Sequence, residues 1–209
     1  MVISRCPLLA FFSRSSSVAG RRVIRGRTGF VQGTALTFAS MAAVFAVAAT
    51  SPSVGAEFGA KDAQVLGRTL GYVGDGMTGI AVVGIVFEPA NHTSQQEADL
   101  VRAVIGDGLA TGRIRLQARL IPVEQLATVT GLSALYITTG LAESTEAIVG
   151  AARRLRVPTL SDDMACVASG RCVVGFSSEP TVQILLNQEA AEQIGVHFLQ
   201  AFRMLVREQ

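Results

Sequence analysis

Two cysteines form the residue pair with the clearest chemistry in this chain. Cys166 and Cys172 are separated by five residues, and the third cysteine, Cys6, lies near the amino terminus. Residues 168–171 between them, Ala-Ser-Gly-Arg, can turn the chain back and bring the two thiols together. A redox-active pair is more typically Cys-x-x-Cys at a helix amino terminus. We therefore predict a structural disulfide, with a reducible, regulatory bridge as the alternative.

A second group of polar residues follows the predicted strands. In an open parallel sheet, ligands bind outside the carboxyl ends of the strands. Glu88 and Asn91 follow one strand, and the residues after two later strands supply the predicted ligand crevice: Thr138, Thr139, Ser161 and Asp162. These side chains are polar but favour no particular ligand chemistry. They predict a crevice at this position rather than a recognised motif.

Patterns for catalysis, metals and cofactors are weak. His92 and His197 each lack a second ligand at helical spacing, and the adjacent acids Asp162 and Asp163 are more typical of helix caps than of metal ligands. Residues 74–79 match the letters of a dinucleotide fingerprint, but they follow a predicted helix and precede a strand, the reverse of the required order. We predict no catalytic residues, no cofactor and no metal, and therefore no enzyme.

The amino-terminal segment is typical of an export signal. The first 27 residues contain six arginines and no acid, residues 28–56 carry no charge, and residues 36–49 are strongly apolar. Val54 and Ala56 fit the −3 and −1 positions of a cleavage site. We predict a signal peptide over 1–56 and one domain over 57–209, in the periplasm. The alternative is an uncleaved anchor that holds the domain at the inner membrane, facing the periplasm.

Charge argues against a nucleic-acid partner. The whole chain has a net charge of +2, but residues 57–209 contain 12 basic and 16 acidic residues, which gives −4. A mildly acidic domain lacks the basic surface that nucleic acids require.

The pattern of apolar residues predicts an α/β fold. Apolar or alternating runs of strand length alternate with segments of helical periodicity, which favours parallel strands and right-handed crossovers. We predict a single-domain, three-layer Rossmann-like fold with a mainly parallel sheet, a carboxyl-terminal antiparallel hairpin and a closing helix. The predicted strands are 80–87, 113–121, 134–138, 157–160, 172–176 and 181–186, and the predicted helices are 61–72, 94–109, 123–130, 144–156 and 188–207.

Two helix details depend on single residues. Ser94 and Glu97 match a capping box, so the second helix is expected to begin at Ser94. Gly195 lies in the middle of the last helix and is expected to kink or split it.

From about residue 121 to 208 the chain resembles the YfiR/HmsC family of periplasmic proteins. The resemblance rests on an ordered series of segments: 134–139, 156–161, 170–175, 182–187, 190–195 and 202–206. These are a strand, the sequence Arg-Val-Pro-Thr-Leu-Ser, a glycine-led strand, a strand ending in Asn187, an alanine-rich helix broken at Gly195, and a carboxyl-terminal apolar segment. The amino-terminal half lacks the aromatic Trp-Pro segment of that family.

The resemblance implies a secreted α/β domain without enzymatic activity. In such proteins the domain restrains an inner-membrane diguanylate cyclase and so controls cyclic-di-GMP and biofilm formation. The expected partner is the periplasmic part of an inner-membrane protein, with a homodimer as a further candidate assembly. The alternative function is a small periplasmic solute-binding protein that uses the crevice at the strand ends.

Overall fold

A computed structural model describes residues 58–208. The predicted signal peptide or anchor, with its cleavage site, lies outside the described residues. Within residues 58–208, no helix combines the length and the apolar character needed to cross a membrane.

Eight strands and six helices make up the described part of the chain. The strands are β1 (Gly79–Phe87), β2 (Leu109–Thr111), β3 (Ile114–Pro122), β4 (Ala134–Ile137), β5 (Thr159–Ser161), β6 (Val174–Ser177), β7 (Gln183–Leu186) and β8 (Arg207–Glu208). The helices are α1 (Ala60–Leu70), α2 (His92–Ile105), α3 (Thr145–Leu155), α4 (Met164–Ala168), α5 (Gln188–Ile194) and α6 (Gln200–Arg203). Single 3-10 turns cover Val123–Gln125 and Ala142–Ser144.

All eight strands belong to one sheet, in the order β2-β3-β1-β4-β5-β6-β7-β8. The five central strands from β3 to β6 run parallel, whereas β2 pairs antiparallel with β3, and β6 and β7 form the antiparallel hairpin. The short β8 adds to β7 in parallel and forms one edge of the sheet. The predicted Rossmann-like α/β fold with a mainly parallel sheet and a terminal hairpin is confirmed.

Helices cover both faces of the sheet. Helices α1 and α2 form one helical layer. Tyr136 and Phe176 face this layer, and both contact Phe58, which lies just before α1; the rings of Phe58 and Tyr136 meet edge-on with their centroids 5.4 Å apart. Gly175, the neighbour of Phe176, faces the other way because successive strand residues alternate sides. A Cβ atom at Gly175 would come within 2.6 Å of Val167 on α4. Helix α5 packs against α3, and the layers enclose a core of Val, Ile, Leu and Ala with four aromatic side chains.

The second helix does not begin at the predicted capping box. Helix α2 begins two residues earlier, at His92, and its N-cap is Asn91, whose side-chain oxygen accepts two amide hydrogen bonds from the first turn. Ser94 and Glu97 are instead used in contacts outside the helix. The Ser94 hydroxyl, for example, accepts the Glu88 amide at 3.0 Å.

The helix over 188–207 is split at Gly195, as expected: Gly195 takes a left-handed conformation (φ 74°) after α5 and is followed by the short α6 and by β8 in place of one closing helix. Two other predicted helices are wrong. Gly106 ends α2 at φ 58°, and Leu109 therefore belongs to β2 rather than to that helix. Residues 123–130 form only a 3-10 turn and further turns. The alternation of strands and helices also continues past Ser161 through α4, where we expected it to end.

Candidate functional site

The strand order reverses between β1 and β4. The chain moves from β1 outward to β3 and then returns to the other side of β1 to form β4. Such a switch point leaves a gap between the connections at the carboxyl ends of the two strands, and ligands of open α/β sheets bind there. The predicted crevice residues end β5 or follow β4 and β5, so they lie at this carboxyl end.

Glu97 joins α2 to the end of β4. One oxygen of its carboxylate, Oε1, accepts the Tyr136 hydroxyl at 3.2 Å. The other, Oε2, accepts the Thr139 amide at 2.9 Å and the Thr139 hydroxyl at 2.7 Å. Three donors on one carboxylate fix the chain where it leaves β4, since hydrogen bonds to an ionised group are stronger than those between neutral groups.

Two further carboxylates lie in the same region. Asp162 follows β5, and its charge acts on Tyr136. Asp62, in the first turn of α1, is 8% exposed and accepts the Gly59 amide at 2.9 Å, and its charge acts on Asp162. The carboxyl end of the sheet therefore brings together three acids from α1, α2 and the loop after β5.

Burial sets the protonation behaviour of this cluster. Loss of hydration raises the pKa of Glu97 above its usual range, and the hydrogen bonds from Thr139 oppose that rise. Burial likewise raises the pKa of Asp162, with repulsion from Asp62 as a smaller cause. The pKa of Tyr136 is raised well above its usual value, mainly by burial and then by the two acids. The tyrosine thus stays a neutral donor, and the acids hold protons more tightly than free carboxyl groups do.

Two of the predicted crevice residues are inside the protein. Thr138 is 3% exposed, and its hydroxyl donates to the Val86 carbonyl at 2.9 Å and accepts from the Ser94 hydroxyl. Ser161 is 1% exposed, and its hydroxyl donates to the Ile137 carbonyl at 2.9 Å. These hydroxyls hold the ends of neighbouring strands together.

The other two crevice residues, Thr139 and Asp162, are partly exposed and belong to the network around Glu97 and Tyr136. Their neighbour Asp163 caps α4, because its carboxylate accepts the Ala165 amide at 2.8 Å. Ligand binding in this crevice stays a prediction. Across residues 58–208, no three metal-ligating side chains are grouped so as to hold a metal ion.

The predicted disulfide is formed. Cys166 on α4 and Cys172 before β6 are bonded, with their Cα atoms 5.2 Å apart, and both are buried. The loop between them closes on the Cys166 carbonyl, which accepts the amides of Arg171 and Cys172 at 3.2 and 3.1 Å. The Asn187 side chain donates to the Val167 carbonyl at 3.1 Å and so ties this loop to the start of α5.

A different surface, at the carboxyl terminus of the chain, exposes apolar side chains. We call it the C-terminal surface and define it by Leu199, Met204, Leu205 and the edge strand β8. Met204 is 80% exposed and Leu205 is 73% exposed. A cavity of about 320 Å³ lies beside Met204 and is bordered by Phe198 and Arg203. The same two residues border a second cavity, of about 270 Å³, which is also lined by Leu186 and α5.

Sequence reasoning missed Glu97 and Tyr136 as partners. Glu97 matched a capping pattern that explained it locally, and Tyr136 lay within a strand with nothing to mark its hydroxyl. A buried tyrosine normally has a hydrogen-bond partner. That requirement was the one available signal that a polar side chain faced this strand.

No protein family matches the chain, and no curated protein is significantly similar to it in sequence. Among solved structures, it is similar to a conserved domain protein from Vibrio cholerae O1 biovar El Tor, with 14% sequence identity and a TM-score of 0.49. The matched region covers 71% of this chain and 59% of the Vibrio protein, less than two thirds of its length. A similarity at this level does not indicate what the chain binds or does.

Proposed function

We propose that this protein is a non-enzymatic binding domain that docks a partner protein on its C-terminal surface. The observation that carries the proposal is the exposure of Met204 and Leu205 immediately before the edge strand β8. Large apolar side chains exposed together in a short segment are typical of interaction sites.

The edge strand adds a second mode of attachment. An outer strand has unpaired amide and carbonyl groups along one side, and an extended segment of a partner can pair with them. In this chain, Arg207 and Glu208 form that edge, and the exposed Met204 and Leu205 precede it in the sequence. Main-chain pairing would align the partner, and the apolar side chains would supply anchors.

The cavities beside the edge strand offer places for the partner's side chains. Leu186, Val196 and Phe198 form apolar walls, and Arg203 lies at the junction of both cavities. The Arg203 guanidinium is held by Glu208 at 2.7 Å and by Gln188 at 2.9 Å. A partner with apolar anchors and few charges fits this surface best.

The partner we propose is the periplasmic part of an inner-membrane protein, and the role is regulatory. The disulfide is compatible with an oxidising compartment, where such bonds persist. The resemblance to the YfiR/HmsC family supports restraint of a diguanylate cyclase, with control of cyclic-di-GMP and biofilm formation as the result.

The test is complementation of a deletion strain. Deleting the gene should raise cellular cyclic-di-GMP, and the wild-type chain should restore the lower level. The double variant Met204→Asp with Leu205→Asp should fail to restore it, because charged side chains would have to be buried at the interface. Ile80→Asp is the matched control, since Ile80 is also apolar and is 61% exposed on β1.

Two results would overturn the proposal. Unchanged cyclic-di-GMP in the deletion strain would remove the regulatory role. Full restoration by the double aspartate variant, at the same protein level as wild type, would remove the C-terminal surface as the docking site.

A further inference from the structure

A separate cleft lies at the amino end of the parallel strands. It has a volume of about 230 Å³ and is formed by three segments: the last turn of α1, the glycine-rich loop before β1, and the turn between β2 and β3. Arg68 and Arg113 lie on its rim, and Tyr72 and Met77 line its wall. Neither the loop closed by Cys166 and Cys172 nor the three acids Asp62, Glu97 and Asp162 border this cleft.

Close packing holds the two arginines on the same cleft. A methyl group at Gly67 would overlap the Thr111 side chain, so α1 lies directly on the turn that carries Arg113. Gly76 of the glycine-rich loop, in a left-handed conformation (φ 96°), approaches from the other side. A Cβ atom there would be 3.7 Å from the Arg113 guanidinium. Glycine at both positions lets three backbone segments converge on Arg68 and Arg113.

Neither arginine has an acidic partner within the described residues. The ion pairs of residues 58–208 are Lys61–Glu179, Asp99–Arg102 and Arg203–Glu208. The carboxyl end of α1 adds an opposing partial charge of about half a unit, and the Gly71 amide already caps the carbonyls of Gly67 and Arg68. Two full positive charges outweigh that partial charge, so the cleft favours an anion.

The wall of the cleft is apolar and held in place. The Tyr72 ring stacks on Phe202 with a centroid distance of 5.3 Å, and the Tyr72 carbonyl accepts the Leu199 amide at 2.9 Å. Met77 follows in the same loop, and a thioether adapts to differently shaped apolar groups. A ligand of the right size for this cleft would therefore contact a fixed ring and an adaptable side chain.

We propose that this cleft binds a small organic anion. Its carboxylate or phosphate group binds between Arg68 and Arg113, because guanidinium groups donate paired hydrogen bonds to such oxygens. Its apolar part, of about six to eight carbon atoms or fewer, lies against Tyr72 and Met77. The site shares no lining residue with the two cavities beside β8, and binding there requires no chemical reaction.

Titration of the isotope-labelled protein with hexanoate, followed by NMR, tests the site. The resonances of Gly71, Tyr72, Met77 and Gly112 should shift, with a dissociation constant of about 1 mM for a ligand this small. Hexan-1-ol, which matches its chain length without the charge, should cause no saturable shift. Inorganic phosphate, which lacks the apolar part, should bind at least about tenfold more weakly.

Variants assign the binding to the two arginines. Arg68→Gln and Arg113→Gln should each weaken hexanoate binding about tenfold or more, which corresponds to the loss of one charged hydrogen-bonding partner. Arg115→Gln is the matched control, because Arg115 is exposed two residues along β3 and lies against Gly108, outside the cleft. It should bind hexanoate as wild type does.

Each contrary result overturns a defined part of the proposal. Saturable binding of hexan-1-ol as strong as that of hexanoate would remove the anion requirement. Equal binding of phosphate and hexanoate would remove the role of Tyr72 and Met77. Unchanged hexanoate binding in both glutamine variants, or no shift up to about ten times the expected dissociation constant, would remove the site.

Discussion

The two ends of the parallel strands use charge in opposite ways. At the carboxyl end, three acids lie near one another: Glu97 accepts the hydroxyls of Tyr136 and Thr139, Asp62 accepts the Gly59 amide, and Asp162 follows β5. At the amino end, Arg68 and Arg113 border an open cleft and have no acidic partner among the described residues. The first arrangement satisfies its polar groups internally, whereas the second leaves its donors available.

This contrast bears on the predicted crevice at the carboxyl end, where ligand binding stays a prediction. The carboxyl end is where ligands of such folds bind, and the sequence led us to place the crevice there. In this protein the hydroxyls of Thr138 and Ser161, at the ends of the strands, donate hydrogen bonds to main-chain carbonyls inside the protein. Position in the topology therefore selects where a site can form, and the hydrogen-bond partners decide whether its groups are free to bind.

The largest expected effect on stability comes from disrupting the close contact between Gly67 on α1 and Thr111, which forms one side of the amino-end cleft. Gly67→Ala places a methyl group against Thr111, so α1 must move away from the β2–β3 turn. We expect a loss of up to about 3 kcal/mol in the free energy of unfolding, as for other overpacked core positions. Chemical denaturation measures it.

Gly150→Ala is the control for that variant. Gly150 lies within α3 with open space around its Cβ position, so alanine should leave stability unchanged or raise it by up to about 1 kcal/mol. An equal loss in both variants would show that the Gly67–Thr111 contact has no special role.

The disulfide closes the turn between α4 and β6, in the connection that carries the chain from the carboxyl end of β5 to the amino end of β6. Cys172→Ser should lower the free energy of unfolding by about 2 kcal/mol, because a short closed loop restricts the unfolded chain. Thermal unfolding under non-reducing conditions measures this. An unchanged midpoint would contradict the structural role, and two free thiols in the exported wild-type protein would do so as well.

A smaller effect is expected from the buried tyrosine at the carboxyl end. Tyr136→Phe keeps the ring against Phe58 and removes the hydroxyl that donates to Glu97. We expect a loss of about 1–2 kcal/mol in the free energy of unfolding, because a partly buried carboxylate loses a donor. Tyr72→Phe at the amino end is the control. Within residues 58–208 the Tyr72 hydroxyl forms no side-chain hydrogen bond, so this variant should change the free energy of unfolding by less than about 0.5 kcal/mol.

The smallest expected effect is a pH dependence. A carboxyl group with a raised pKa in the folded state binds protons more tightly when folded, so stability falls as pH rises from the ordinary carboxyl range through the raised value. Glu97→Gln removes one such group and should make the melting temperature less sensitive to pH as pH rises above the ordinary carboxyl range. Asp99→Asn, on the exposed side of α2, should leave the pH profile as in wild type. Identical profiles for wild type and Glu97→Gln would argue that burial of Glu97 has no energetic consequence.

Elements with a strong local pattern were predicted well. The continuous apolar run became β1, and the alternation of residues 114–120 became β3, with Ile114 and Leu116 buried. The disulfide was also predicted, because five intervening residues allow few other arrangements for two thiols. In these segments the local spacing and the final fold agree, so the sequence alone was sufficient.

Elements that depend on distant contacts were predicted poorly. Leu205 has the spacing of a helical core residue, yet it is 73% exposed because Gly195 ends α5. Glu97 matches a capping box, but its carboxylate reaches Tyr136 and Thr139, about 40 residues further along the chain. A three-residue strand such as β2 forms because β3 lies beside it, and it has no strong signal of its own.

The sequence by itself determined the α/β class, the parallel strands and the disulfide, because each follows from residue spacing within a short segment. Tertiary structure alone decided which charged groups have partners. Arg68 and Arg113 are 45 residues apart, and only the close packing of Gly67 on Thr111 brings them to one cleft. Three acids, from α1, α2 and the loop after β5, converge at the other end through the packing of those elements. The spacing of apolar and polar residues along the chain determines each helix or strand. The distances between residues of different elements are fixed only when those elements pack together.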